Sequence, residues 1–152
     1  MTSPFSLPAP MRRAFALARQ AEAAGEVPIG AVVTRDGVII GEGENRNRRD
    51  NDPTAHAEMV AIRAAATRIG DFRLTGCDLW VTLEPCAMCA GALAHARIAR
   101  LYYAASDPKG GAVEHGPRLF TQPTCHHRPD IYPGIGDAEA SKMLRTFFAA
   151  RR

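Results

Sequence analysis

Thr54-Ala55-His56-Ala57-Glu58 and, about thirty residues further on, Glu84-Pro85-Cys86-Ala87-Met88-Cys89 are the two stretches on which the reading of this chain turns. One histidine and two cysteines give a tetrahedral ion three ligands and leave its fourth position for water, which separates a catalytic zinc site from a closed structural one. Glu58 lies two residues past His56, placed to carry a proton and not to bind metal. Either half alone is a weak signal. A lone Cys-x-x-Cys also fits a redox pair or half of a zinc ribbon, and a lone histidine is commonly a packed surface residue. A redox pair needs no glutamate-bearing partner segment. A ribbon needs a second close cysteine pair, which the scattered Cys77 and Cys125 do not supply.

Both stretches are expected at helix starts. Thr54 suits an N-cap for a helix over Ala55 to Ile69 that Gly70 stops. Pro85 suits the first turn of a helix running from about Cys86 to Ala96, with Cys86 and Cys89 three apart and facing one ion. The N-terminal dipole and free N–H groups there favour thiolate over thiol. His56 and Glu58 are two apart, so on a regular helix they would diverge unless both lean over the helix end.

Working outward, Met11 to Ala24 has apolar residues at helical spacing and Gly25 as its stop. Ile29 to Thr34 and Val38 to Gly41 read as a hairpin across Arg35-Asp36-Gly37. Glu42 to Pro53 is polar and is read as lying outside the core. Asp78 to Leu83 and Leu101 to Ala105 read as buried strands, and Asp130-Ile131-Tyr132 as a short last one. A helix from Asp137 to Arg152 closes the chain, with Met143, Leu144, Phe147 and Phe148 on one side. Residues 112–129, interrupted by Pro117, Pro123 and Pro129, specify no regular element. The order implies a three-layer α/β/α fold: a mixed five-stranded sheet, hairpin first and parallel crossovers after, with helices on both faces.

At 152 residues the chain is read as one domain, residues 1–152, able to bury about 70% of its unfolded surface. No apolar run approaches 18 residues, so no membrane span is expected, and Met1 to Pro8 lacks the charged start and apolar core of a secretory signal. Thiolate ligands point to a reducing, cytoplasmic compartment. The net charge of +3 permits nucleic-acid binding without demonstrating it. Arg46, Arg48 and Arg49 before the histidine motif, and Arg145, Arg151 and Arg152 on the last helix, are candidate phosphate contacts whose alternative is a solvated face.

The charge count favours a particular chemistry. Zinc with two thiolates and a neutral imidazole is formally neutral and acidifies water less than a three-histidine site, so a carboxylate base has a necessary task. Glu58 is the candidate. His-x-Glu followed by Pro-Cys-x-x-Cys is the signature of zinc deaminases that attack a ring carbon bearing an amino group.

Glu26-Val27-Pro28-Ile29-Gly30-Ala31-Val32, Asn45, Asp52-Pro53-Thr54-Ala55-His56-Ala57-Glu58-Met59, Thr82-Leu83-Glu84-Pro85-Cys86-Ala87-Met88-Cys89-Ala90-Gly91-Ala92 and the closing Phe147-Phe148 with Arg151-Arg152 resemble the bacterial tRNA-specific adenosine deaminase family over essentially the whole chain. The resemblance implies a cytidine deaminase-like fold, one Zn2+ per subunit on His56, Cys86 and Cys89, Glu58 as acid and base, and a homodimer. It further implies conversion of the wobble adenosine of a tRNA anticodon stem-loop to inosine, with Asn45 hydrogen-bonding the flipped nucleoside and Val27 packing on the base. Residues 111–123 depart from the commonest family pattern, and Cys125-His126-His127 reads as a polar loop. His95 reads as packed or exposed, and Cys77 as a buried thiol.

Two other readings share these residues. A free nucleobase or nucleoside deaminase, for guanine or cytosine, would use the same zinc set, and a non-catalytic subunit would bind RNA or a partner through the same fold. The intact Glu58 argues against the non-catalytic subunit. The aromatic and arginine-rich last helix favours an anticodon loop over a small base.

Overall fold

The computed structural model describes residues 7–151, so Arg152 and the first six residues of the Met1–Pro8 stretch lie outside it. Four helices and five strands follow in the order α1 (Ala9–Ala23), β1 (Gly30–Arg35), β2 (Val38–Glu44), α2 (Ala57–Ile69), β3 (Cys77–Leu83), α3 (Ala87–Ala96), β4 (Arg100–Ala105), β5 (Asp130–Tyr132) and α4 (Asp137–Ala149). The sheet order is β2-β1-β3-β4-β5. β1 is antiparallel to both β2 and β3, while β3, β4 and β5 run parallel. This is the expected mixed sheet.

Alternation along the strands divides the core. Ala31, Val33, Leu79, Val81, Leu101 and Tyr103 face α2 and α3, with Ala61, Ala65, Ala90 and Leu93 packed over them. Val32, Trp80 and Ala104 face the other way, against Met11, Ala14 and Phe15 of α1 and Ala140 of α4. Trp80 also donates its indole N–H to Thr34 Oγ1 at 3.1 Å, which satisfies the one polar atom it buries. Asp36 and Gly37 take φ of 51° and 78°, the two left-handed residues that a tight hairpin turn requires.

The α2–β2 contact fixes where the chemistry lies. Cβ atoms placed on Gly41 and Gly43 would sit 2.5 Å from the Ala61 carbonyl oxygen and 2.2 Å from that of Ala57. The helix meets them with Ala57, Ala61 and Ala65, so it rests on the strand almost backbone to backbone.

Several boundaries differ from the sequence reading, each for a local reason. β2 continues through Glu42, Gly43 and Glu44, and Asn45 is buried, so part of the polar stretch read as outside the core is inside it. Here glycines, not apolar side chains, mark the buried face. The α2 cap is His56 and not Thr54. Thr54 is turned onto Asp52, its N–H and hydroxyl both donating to Oδ1 at 2.8 and 2.7 Å. Cys86 caps α3, leaving Pro85 ahead of the helix. On α4, Ala140 and Phe147 are buried whereas Phe148 is 49% exposed, so the four apolar residues do not share one side. Residues 112–129 lack strands but are packed, with Ala112, Val113 and Phe120 buried and a single 3-10 turn at Leu119–Thr121. Among the described residues no helix is long and apolar enough to cross a membrane.

Gly43→Ala is expected to destabilise the fold by about 1–3 kcal/mol through overpacking against the α2 backbone. Calorimetry should show the melting temperature falling by several degrees, and an unchanged value would mean that α2 can lift off β2 without cost.

Candidate active site

Two helix N-termini converge beyond the carboxyl end of the sheet, the place where open α/β sheets bind ligands. His56 caps α2 and Cys86 caps α3, both with extended backbone (φ −72° and −74°), and neither side chain caps its own helix. Both are therefore free to turn toward the gap. Cys89, one helical turn on, is buried behind them. His56 Nδ1 lies 3.5 Å from each of the two sulfurs. All three donor atoms fall within 4.8 Å of one another, and among the described residues this is the only such group of three or more.

These separations match a particular ion. Tetrahedral zinc with bonds of about 2.05 Å to nitrogen and 2.3 Å to sulfur holds those atoms about 3.6 Å apart. A borderline-soft imidazole and two thiolates are the donor set zinc selects. The hydrogen bond from Cys89, aided by His56, pushes Cys86 down to about 4, and the same pairing, together with burial, drives Cys89 upward.

His56 is outside the helical backbone, so its spacing from Glu58 is not that of two residues on a regular helix and the two need not diverge. Glu58 is in the first turn of α2 and only 4% exposed. Burial pushes its carboxyl up to about 7, against the opposing pull of its own backbone N–H and the His56 charge. It is a carboxyl able to take and return a proton near neutral pH.

Asn45 is buried and held at three points. Its Oδ1 accepts the Ala57 N–H at 2.9 Å, its N–H donates to Ile29 at 3.2 Å, and its carbonyl accepts Arg49 Nη2 at 2.6 Å. Asn45 thus caps α2 from a distance, and its amide Nδ2 is left to donate elsewhere. Val27, half-buried, lines a cleft of about 850 Å³ with Leu83, the turn from Ala105 to Gly110, and Leu144, Arg145, Phe148 and Arg151 of the last helix. The metal ligands and Glu58 do not line this cleft; Leu83, which does, stands three residues ahead of Cys86 in the chain.

Two of the arginines in the Arg46–Arg49 cluster are paired with carboxylates, one at the surface and one on a buried group. Arg46 pairs with Asp50 at 2.9 Å, and Arg49 reaches Glu26 at 3.2 Å. Glu26 is buried and also accepts the N–H groups of Arg48 and Arg49. Burial raises its carboxyl, but those N–H groups and the guanidinium outweigh it and hold the group below the usual range. Arg151 stacks over Phe147 with Cζ 3.5 Å from the ring centre, whereas Arg145 is exposed on the cleft.

The sequence reading assigned no role to Glu84. It is 2% exposed, between β3 and Cys86, and it too ends below the usual range because backbone N–H groups and His115 outweigh its burial. A glutamate ending a buried strand was the available signal. Cys77 is buried and His95 exposed, as expected. Among the described residues Cys125, His126 and His127 gather no metal-binding set, and His127 Nε2 lies 2.6 Å from the Ile98 carbonyl.

Residues 7–105 match the family model of the cytidine and deoxycytidylate deaminase zinc-binding region. The tRNA-specific adenosine deaminase of Agrobacterium fabrum is 56% identical over 142 residues, which is 93% of each protein. A solved structure from work on A-to-I editing by tRNA:A34 deaminases at the wobble position superposes with a TM-score of 0.88 at 56% identity, over 89% of this chain and 98% of that one. The guanine deaminase of Bacillus subtilis superposes less well, at 0.62 and 32% identity over 99% of this chain and 94% of its own.

Cys86→Ser is expected to strip zinc from the purified protein, and Glu58→Gln to leave it in place at one ion per chain. Metal analysis by mass spectrometry checks both. Zinc lost from Glu58→Gln would make that carboxylate a ligand.

Proposed function

The chain belongs to the tRNA-specific adenosine deaminase family, and we propose on that premise that it hydrolyses the wobble adenosine of a tRNA anticodon loop to inosine and ammonia. The observation that carries this reading is the His56, Cys86 and Cys89 triangle with the buried Glu58 carboxyl on its edge. His56, Cys86 and Cys89 would hold zinc, which when bound supplies the Lewis acidity that makes water a nucleophile near neutral pH.

Glu58 is the acid and base. Its carboxylate takes a proton from the attacking water and delivers it to the purine N1, as the new C–O bond forms at C6. It then takes the second proton from the new C6 hydroxyl and gives it to the amino group, so that the C6 carbonyl forms as the C–N bond breaks and ammonia leaves. Asn45 holds the flipped nucleoside through Nδ2, the donor its capping bond leaves over, and Val27 packs on the base. The nucleotides beside the flipped one lie in the 850 Å³ cleft, where Lys109 and Arg145 meet phosphate and Phe148 offers a ring for stacking.

One domain over residues 1–152 carries all of this, and the compartment that fits is the cytoplasm. The active unit is a homodimer. Phe72 is 70% and Met88 36% exposed, and Phe72 borders a second hollow of about 450 Å³ whose lining mixes Ala94 and Leu119 with Arg73, Arg97 and Gln122, the face on which a second copy would fit. Sedimentation equilibrium should return twice the chain mass, falling to the monomer mass for Phe72→Asp.

The substrate test compares a stem-loop carrying wobble adenosine with free bases. Ammonia release is expected from the stem-loop, with free adenosine a very poor substrate, because most of the binding comes from neighbouring nucleotides. A guanosine in place of that adenosine should release none, since its C6 bears a carbonyl. Glu58→Gln should lose at least about 100-fold in rate. Efficient turnover of guanine with none on the stem-loop would favour the free-base reading, for which the guanine deaminase likeness is the specific support.

A further inference from the structure

Five hydrogen bonds converge on the Glu84 carboxylate. Oε2 accepts the consecutive N–H groups of Val113, Glu114 and His115 at 3.1, 3.0 and 3.2 Å. Oε1 accepts the Asp107 N–H at 3.0 Å and faces His115 Nδ1 at 2.7 Å. A carboxylate only accepts, so the His115 proton on this side belongs to Nδ1. The side chain of Glu84 is fully enclosed, and three successive N–H groups form the kind of concavity that binds anions. Gly111 leaves the space for it, since a Cβ there would come 2.4 Å from Oε2.

The same loop is tied down at two further points. The Ala112 N–H donates to the Pro85 carbonyl at 2.9 Å, one residue before Cys86, and the buried Tyr103 donates its hydroxyl to Glu114. Asp107 Oδ1 accepts the N–H groups of Lys109 and Gly110, which shapes the outer turn. Asp107, Lys109 and Gly110 are the loop residues that line the cleft beside Val27. The loop therefore has its inner end on Glu84 and its outer end at the substrate wall.

We infer that Glu84 and His115 are a positioning pair that clamps the 107–115 loop as the wall of the cleft and so sets how tightly the nucleotides flanking the reacting base are held. The inference rests on the cleft being where RNA lies. Neither residue touches the reacting base. A wall that contacts flanking nucleotides binds ground state and transition state alike, so loosening it raises KM and spares kcat.

The test uses the zinc-loaded full chain with His115→Ala, His115→Asn and Glu84→Gln. Hydrogen exchange followed by mass spectrometry reads the loop directly. Peptides spanning 107–118 should exchange roughly tenfold faster in His115→Ala and Glu84→Gln, with one zinc per chain retained. On the wobble-adenosine stem-loop, KM should rise about fivefold or more while kcat stays within about twofold. His115→Asn, whose amide still reaches Oε1 as a donor, should recover most of both losses. Unchanged exchange in both disruptive variants, a kcat loss as large as the KM rise, or an Asn variant no better than Ala would each overturn the clamp. Should Glu84→Gln fail to fold, the two His115 variants decide alone. If the wild type left the stem-loop untouched, the substrate reading would fall, and the exchange measurement would still decide whether the loop hangs on this pair.

Discussion

The whole site depends on how closely α2 can approach the sheet. Gly41 and Gly43 present bare backbone to Ala57, Ala61 and Ala65, and a single methyl on either glycine would overlap the helix carbonyls. That contact sets the height of the first turn of α2 above the sheet and hence the reach of His56. With a bulkier residue at position 43, His56 Nδ1 could not remain 3.5 Å from two sulfurs carried by a different helix. Metal ligation tolerates errors of about 0.2 Å. Tight helix-on-strand packing is what can hold two independent helix starts to that tolerance.

Electrostatics then works in a space that this packing has dried. Glu58, Glu84 and Glu26 are all nearly inaccessible carboxyls, yet their surroundings push them apart. Glu84 and Glu26 each collect several N–H donors and stay ionised. Glu58 has its own backbone N–H, the His56 charge and the Cys89 thiol to set against burial, no N–H from another residue among them, and it ends near neutrality. An unpaired buried charge costs about 3–5 kcal/mol, so the two well-paired glutamates are fixed structural anions. The under-paired one is left with a proton that can move. Three similar side chains thus divide into two that organise loops and one fitted for acid–base chemistry, and the number of donors around each decides the division.

The legibility of the sequence followed the range of the interactions. The His-x-Glu and Pro-Cys-x-x-Cys segments were readable because each ligand lies within a few residues of its helix start, and the strands because alternation is local. Missed features depend on residues far apart in the chain. Thr54 looked like a cap, but Asp52 engages it, and the cap on Ala57 comes from Asn45, twelve residues upstream. Glu42 to Asn45 looked like surface because polarity was weighed and the glycine spacing was not. Residues 112–129 carry no periodic signal, since their order comes from Glu84, Pro85 and Tyr103, which are distant in sequence. Side-chain capture of backbone N–H groups leaves no trace in hydropathy.

The arginines show the same limit on reading charge from composition. Of those that looked available for phosphate, Arg46 is bound to Asp50, Arg49 to Glu26, and Arg151 to the Phe147 ring and carbonyl. Exposed pairs such as Arg46 with Asp50 contribute at most about 1 kcal/mol, so a phosphate can compete for that arginine. Arg49 is different: freeing it would leave Glu26 with one donor fewer in a buried setting and undo the turn that positions Asn45. Lys109 and Arg145 border the cleft from two sides, one on the clamped loop and one on α4, and neither has an ion-pair partner among the described residues. The positive charge open to an RNA therefore includes the loop and the last helix, and in the cluster preceding His56 it comes from Arg48, which is exposed and without an ion pair among the described residues, and not from Arg49. Because Lys109 stands on the loop that Glu84 anchors, the placement of its charge follows from the same buried carboxylate that shapes the wall.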